Sequence, residues 1–218
     1  MYYPPAYRTV KSKPKVIKVT GEGRLSVEPD RAEVRFGVSV ERQALAEAQR
    51  ENANMVSAIK KGLNRAGIPP EEIKTVDYSI YPQHDYNQGK KHFRNYKVEH
   101  MLLITLTDID RTGPFVDTVV QNGANVVPSI TFSVSDYDHH YRQSLTLAIQ
   151  NARGKAETIA KTMGLQLEKS PLSVAEGTGE EVIPIQTQAF AVSESPTDIQ
   201  PGALEIISHV IIEYTYTV

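Results

Sequence analysis

From Ile17 to Val40 apolar residues fall on every second position, and this period of two is the feature that most narrows what the chain can fold into. Ile17, Val19, Gly21, Gly23, Leu25 and Val27 share one side; after Glu28-Pro29-Asp30, the residues Ala32, Val34, Phe36, Val38 and Val40 do the same. Two strands are expected, each with one buried face, and the short link between them reads as the loop of a hairpin. A sheet of that kind must be covered on its apolar side by other elements. Gly21-x-Gly23 sits inside the first strand, whereas a dinucleotide fingerprint needs a helix N-terminus at that point. The two glycines therefore read as a bulge or a point of close packing.

The period then changes. Residues 43–66 predict a long helix with Leu45, Ala48, Met55, Ile59, Leu63 and Ala66 on one stripe and Gly67 as its stop signal. Asn52 falls within that stripe. A buried amide costs about 1–3 kcal/mol if unpaired, so Asn52 is expected to bond backbone of a facing strand or of another subunit. Strands follow near 73–82 and 96–108 around a loop from His84 to Tyr96, then a short helix over about 112–121 closed by Asn122-Gly123. A strand over 126–135 carries Ile130, Phe132 and Val134, and Ser135 or Asp136 can cap a second long helix that ends at Met163-Gly164. Its stripe, Tyr141, Leu145, Ala148, Ala152, Ala156, Ile159 and Met163, has heptad-like spacing with small residues in the middle, which implies close approach to a neighbour. A strand over 165–176, a long arm over 177–203 and a last alternating strand from Leu204 to Val218 complete the chain. The order is ββαββαβαββ, and the segment from the second strand to the fifth reads βαββαβ, as in ferredoxin-like units. The fold class is α+β: largely antiparallel sheet or sheets, with two long helices and one short one packed on one face.

These segments, in this order, resemble the SIMPL-domain family. The opening Val19-Thr20-Gly21-Glu22-Gly23-Arg24-Leu25-Ser26-Val27-Glu28-Pro29-Asp30-Arg31-Ala32 carries the resemblance first. Glu47-Ala48, Asn52, Met55, Gly67-Ile68, Ile73-Lys74-Thr75 and Tyr78-Ser79-Ile80-Tyr81-Pro82 extend it. Gly123-Ala124, the run from Ile130 to Asp136, the run from Ala148 to Glu157, and Pro201-Gly202 complete the set. The similarity covers roughly residues 16–218, so 15–218 is expected to be a SIMPL-like domain with room for two subdomains, after a flexible basic arm at 1–14. The resemblance implies a non-enzymatic protein that acts through protein–protein contacts, with members linked to oxidative-stress tolerance, envelope biology or signalling. Envelope members carry a secretion signal, and the Pro- and Tyr-rich start of this chain is not one. A cytoplasmic location is expected, or a periplasmic or extracellular one if a leader has been trimmed.

Composition narrows the chemistry. With no cysteine, disulfides, thiolate metal sites and cysteine catalysis are excluded. A net charge of −2 gives no global drive toward nucleic acid or a membrane surface, and no apolar run reaches the ~18 residues of a spanning helix. The charge is unevenly spread: Arg8, Lys11, Lys13, Lys15 and Lys18 lie within residues 1–18, which hold no acid, and Glu176, Glu180, Glu181, Glu194 and Asp198 lie within residues 176–200, which hold no base. His84, Asp85 and His92 in one loop, and Asp136, Asp138, His139 and His140 at a helix start, lack the spacing of known metal sites. No Gly-x-Ser-x-Gly elbow is present, so no catalytic residue, cofactor or metal is expected. Lys90, Lys91, Arg94 and Lys97, interleaved with His92, Phe93 and Tyr96, read as a solvated hairpin tip rather than a nucleic-acid contact.

Between Val182 and Val192 the arm is too apolar for a plain linker. Val182, Ile183, Ile185, Phe190 and Val192 are the expected contacts of a homo-oligomeric scaffold, with another protein as a further partner. The alternative is a small-molecule-binding module or enzyme whose pocket the 177–203 arm closes as a lid.

Overall fold

The computed structural model describes residues 15–87, 89–177, 181–184, 197 and 199–218. The basic arm at 1–14 lies outside them, as do 178–180, 185–196 and 198 of the long arm. In chain order the elements are β1 (Val16–Val27), β2 (Arg31–Arg42), α1 (Leu45–Arg65), β3 (Lys74–Asn87), β4 (Lys90–Leu106), α2 (Thr112–Gln121), β5 (Val126–Ser133), α3 (Tyr137–Thr162), β6 (Gln166–Leu167), β7 (Ser173–Glu176), β8 (Glu181–Pro184) and β9 (Leu204–Thr217). They form two compact units, one holding β2–β5 with α1 and α2, the other β1, β6–β9 and α3.

The first unit is ferredoxin-like. Its sheet runs β3-β4-β2-β5, with β2 antiparallel to both β4 and β5 and β3 antiparallel to β4. The alternation of β2 puts Val34, Phe36 and Val38 on the buried face, where Leu102 and Ile104 of β4, Ile59 and Leu63 of α1, and Phe115 and Val119 of α2 meet them. The Phe36 and Phe115 rings lie edge to face, 5.3 Å apart. α1 ends where the stop signal stands: Gly67 has φ +84, and the Ile68 amide returns to the Leu63 carbonyl at 2.9 Å. Asn52 is 1% exposed, and its Nδ2 donates to the carbonyls of Val38 (3.0 Å) and Val98 (3.2 Å), tying α1 to the two central strands. Asn52→Ala removes both bonds from the core, and we expect it to lower stability by about 1–3 kcal/mol in denaturant titration. An unchanged midpoint would mean that the amide does nothing for the unit.

In the second unit β9 is central, with β1, β6, β7 and β8 each paired to it. Helix α3 lies against β1 with Ser144, Ala148, Ala152, Ala156 and Ala160 buried, a stripe of small residues at every fourth position. A Cβ on Gly21 would stand 2.0 Å from the Ala148 carbonyl oxygen, and one on Gly23 1.9 Å from that of Ser144. The glycines are therefore a point of close strand-to-helix packing, and the Ser144 hydroxyl, buried there, donates to Ser208 Oγ at 2.7 Å. Asp136 caps α3 by accepting from the His139 amide at 3.1 Å.

Four expectations are corrected. β1 and β2 do not form a hairpin; they belong to different sheets, and the link between them is held within the ferredoxin-like unit by Asp30, whose carboxylate accepts from the Ser135 amide (2.7 Å) and hydroxyl. Those hydrogen bonds, the hydroxyl's first, hold the Asp30 carboxyl below its ordinary value. Most of the expected loop from His84 to Tyr96 is strand, since β3 and β4 pair as far as Asn87 and Lys90. The buried stripe of α3 follows a spacing of four instead of a heptad, leaving Ile159 and Met163 exposed because only small side chains fit beneath the helix. The expected strand over 165–176 is broken into β6 and β7, and β8 is added, so the order differs from ββαββαβαββ after α3.

Candidate functional site

Each unit ends in an edge strand, and the two edges are treated differently. Midway along β1 two backbone groups are taken by α3: the Glu22 amide donates to Asn151 Oδ1 (3.3 Å), and Lys155 Nζ donates to the Thr20 carbonyl (2.9 Å). A helix laid on an edge in this way blocks pairing with another chain. Among the described residues β3 has no strand on its outer side. It spans Lys74–Asn87 and exposes Val76, Tyr78, Tyr81 (51%) and Tyr86 (75%), with Phe93 of β4 beside them. Its protection consists of Pro82, the charged Lys74, Asp77 and Asp85, and register shifts between Thr75 and Asp77 and between Gln83 and His84. The other edge of the same sheet, β5, is shorter and carries Pro128.

Two of the basic residues beside the hairpin tip, Arg94 and Lys97, are ion-paired, and its aromatic rings contact one another. Arg94 lies 3.6 Å from Glu41 and 3.7 Å from Asp85, and Lys97 lies 2.8 Å from Glu99. Phe93 contacts the rings of His84 (6.0 Å) and Tyr96 (5.0 Å). Ion pairing of this kind lowers the free positive charge that a polyanion would need.

Behind the open edge, between α1 and the hairpin, lies a cleft of about 550 Å³. Sequence reasoning did not find it. The β3–β4 register places Tyr78 opposite His100, and period two puts His100 on the same face as Val98 and Leu102, beneath α1. The two rings meet edge to face at 5.3 Å, and His100 Nε2 is 3.0 Å from Thr75 Oγ1. Burial, and then the neighbouring Lys60 ammonium, hold the His100 imidazole below its ordinary value. Asn52 borders the cleft, and its buried Oδ1 has no hydrogen-bond partner among the described residues.

The remaining sequence candidates are dispersed. Val182 and Ile183 belong to β8, which pairs with β9; Ile185, Phe190 and Val192 lie outside the described residues. Asp85 faces His92 across the hairpin, and the His139 and His140 rings lie 5.6 Å apart near the start of α3. Among the described residues no group of three or more His, Asp or Glu converges as a metal site would require. No helix among them is long and apolar enough to cross a membrane.

Fold and sequence together define a class. The chain belongs to the SIMPL family, described as a protein of unknown function (DUF541), whose sequence profile matches residues 17–214. It is similar to the uncharacterized protein YggE of Edwardsiella ictaluri, 24% identical over 69% of this chain and 64% of that protein. It is likewise similar to the 26 kDa periplasmic immunogenic protein of Brucella melitensis, at 24% over 72% of this chain and 64% of that protein. The human interleukin-1 receptor-associated kinase 1-binding protein 1 is 26% identical over 75% of this chain and 61% of its own length. The chain thus spans less than two thirds of the length of these curated relatives. Relatives named as periplasmic give the cytoplasmic expectation no support.

Proposed function

We propose that this protein is an interaction module without catalysis of its own, which assembles with copies of itself along the outer edge of β3 and serves as a scaffold. The open edge is the observation that carries the reading, set beside β1, where Asn151 and Lys155 of α3 occupy backbone groups of Glu22 and Thr20. A second copy is the natural occupant, because one edge laid antiparallel on its own twin forms a closed two-fold pair. A strand pair alone falls short of the ~1,200 Å² that a stable interface buries, so exposed Val76 and Tyr81 must be covered as well. A relative named for binding a kinase supports function through protein contacts, and a role in stress response or signalling is the family-level expectation that goes with it. The apolar run containing Val182, Ile183, Ile185, Phe190 and Val192 is a second segment on which self-assembly can be tested.

Light scattering on the intact chain decides the matter. The wild type is expected to be a multiple of the single-chain mass at micromolar concentration, and Val76→Lys with Tyr81→Lys to reduce it to one chain, since edge lysines block strand pairing. Both residues are exposed, so the fold should persist in far-UV circular dichroism. A wild-type monomer overturns the proposal. An oligomer that survives the lysines but dissociates when residues 182–192 are replaced by a Gly/Ser linker overturns the β3 edge as its seat.

A further inference from the structure

We infer that the cleft between α1 and the β3–β4 hairpin binds a small aromatic carboxylate. The site is complete within one chain and does not rest on self-assembly. Its volume, about 550 Å³, falls in the range of about 300–1,000 Å³ typical of small-molecule sites. Apolar and aromatic groups supply most of the wall: Val56 is buried, while Tyr78 and His100, set edge to face, leave ring surface for a planar ligand to cover. Lys60 and Lys61 stand among the lining residues, which include no carboxylate. Among the described residues neither lysine takes part in a salt bridge. In a chain of net charge −2, two ammonium groups that line an aromatic cleft without a salt-bridge partner among the described residues are the complement of an organic anion.

The remaining groups sharpen the class. His100, held toward its neutral form by burial and by Lys60, adds a ring to the wall but leaves the positive charge to the lysines. Inorganic anions would use the lysines and waste the apolar wall, whereas an uncharged aromatic would fill the wall and leave the lysines unpaired. Asn52 borders the cleft and anchors α1 behind it through its Nδ2 bonds to the Val38 and Val98 carbonyls. A planar ring that bears a carboxylate meets both the aromatic wall and the lysines.

Indole-3-acetate has these features and is the probe of choice, with indole-3-acetamide as its uncharged counterpart. The chain has no tryptophan, so the probe's own fluorescence reports binding, with calorimetry for stoichiometry. We expect saturable binding of one indole-3-acetate per chain, with the amide about tenfold weaker or worse because it lacks the charge-assisted contact. Lys60→Gln with Lys61→Gln should bring the acetate down to the affinity of the amide and leave the amide unchanged. Tyr78→Ala should weaken both probes. These side chains lie on the surface or are half-buried, and an unchanged thermal transition confirms that each variant is folded. Absence of saturable binding up to millimolar probe, equal affinities for the acetate and the amide, or indifference to the lysine substitutions would each overturn the inference.

Discussion

Gly23→Ala is expected to disrupt the α3 unit, although it adds one methyl group. The new Cβ would stand 1.9 Å from the Ser144 carbonyl oxygen and 2.6 Å from the Ala148 amide nitrogen. Both are backbone atoms in the middle of a helix, so no rotamer change relieves the clash; strand or helix must move by more than an ångström. Overpacking where side chains can yield costs about 1–3 kcal/mol, and a collision with backbone belongs at or above the top of that range. Displacing α3 also opens the Ser144–Ser208 hydrogen bond and uncovers the alanine stripe beneath it. Gly154→Ala on the outer side of the same helix is the control. Nothing lies within 4 Å of its added Cβ, so it should be neutral or stabilise by about 0.5–1 kcal/mol through helix propensity. Hydrogen exchange resolved by segment should show lost protection in α3 and β9 for Gly23→Ala alone. If both glycine variants behave alike, the close approach of β1 and α3 is not as described.

Much of this architecture was legible because periodicity reports which face of an element is buried. The periods over residues 43–66 and 112–121 match α1 and α2 to within a few positions, and Gly67 and Asp136 act as the stop and cap their chemistry implies. Periodicity does not report the partner. β1 and β2 have the alternation of a hairpin, yet β1 pairs with β9 at the far end of the chain, while Asp30, just before β2, is hydrogen-bonded to Ser135 within the ferredoxin-like unit. The tip of the β3–β4 hairpin was missed for the opposite reason. With neither face buried it has no alternation, and its backbone pairing is all that defines it. In α3 the apolar residues flanking the stripe were given too much weight: Ser144 and Ala160 face the strand while Ile159 and Met163 do not, because the site selects smallness over hydrophobicity.

The candidate site shows the same division. Asn52 stood out as an amide in an apolar stripe, and its two bonds to Val38 and Val98 lie on the backbone of facing strands. Tyr78, His100 and Lys60 could not be grouped from the sequence, since they come together only through the β3–β4 register and the crossing of α1. Whether a strand is an edge is likewise a property of sheet order, and the availability of β3 became visible only once β4 and not β3 proved to be the neighbour of β2.

Phe36→Ala should destabilise the ferredoxin-like unit by about 3–5 kcal/mol, through the lost transfer free energy of the ring and the cavity left behind. Phe36 has no solvent exposure and sits on the central strand β2, so the cavity opens where sheet and both helices meet and cannot be filled by a surface side chain. Phe36→Leu keeps most of the volume and should cost less. The edge-to-face partner makes the claim sharper. Phe115, at 5.3 Å and 77°, contributes about 0.5–1.5 kcal/mol of ring–ring attraction that either single substitution already removes. Phe36→Ala combined with Phe115→Ala should therefore fall short of the sum of the single losses by at least that amount. Denaturant titration of the four proteins measures the coupling, and segment-resolved hydrogen exchange assigns the loss to β2, β4 and α1. Additive losses would show that the two rings do not share one core, and a loss from Phe36→Ala below about 1 kcal/mol would remove β2 from its centre.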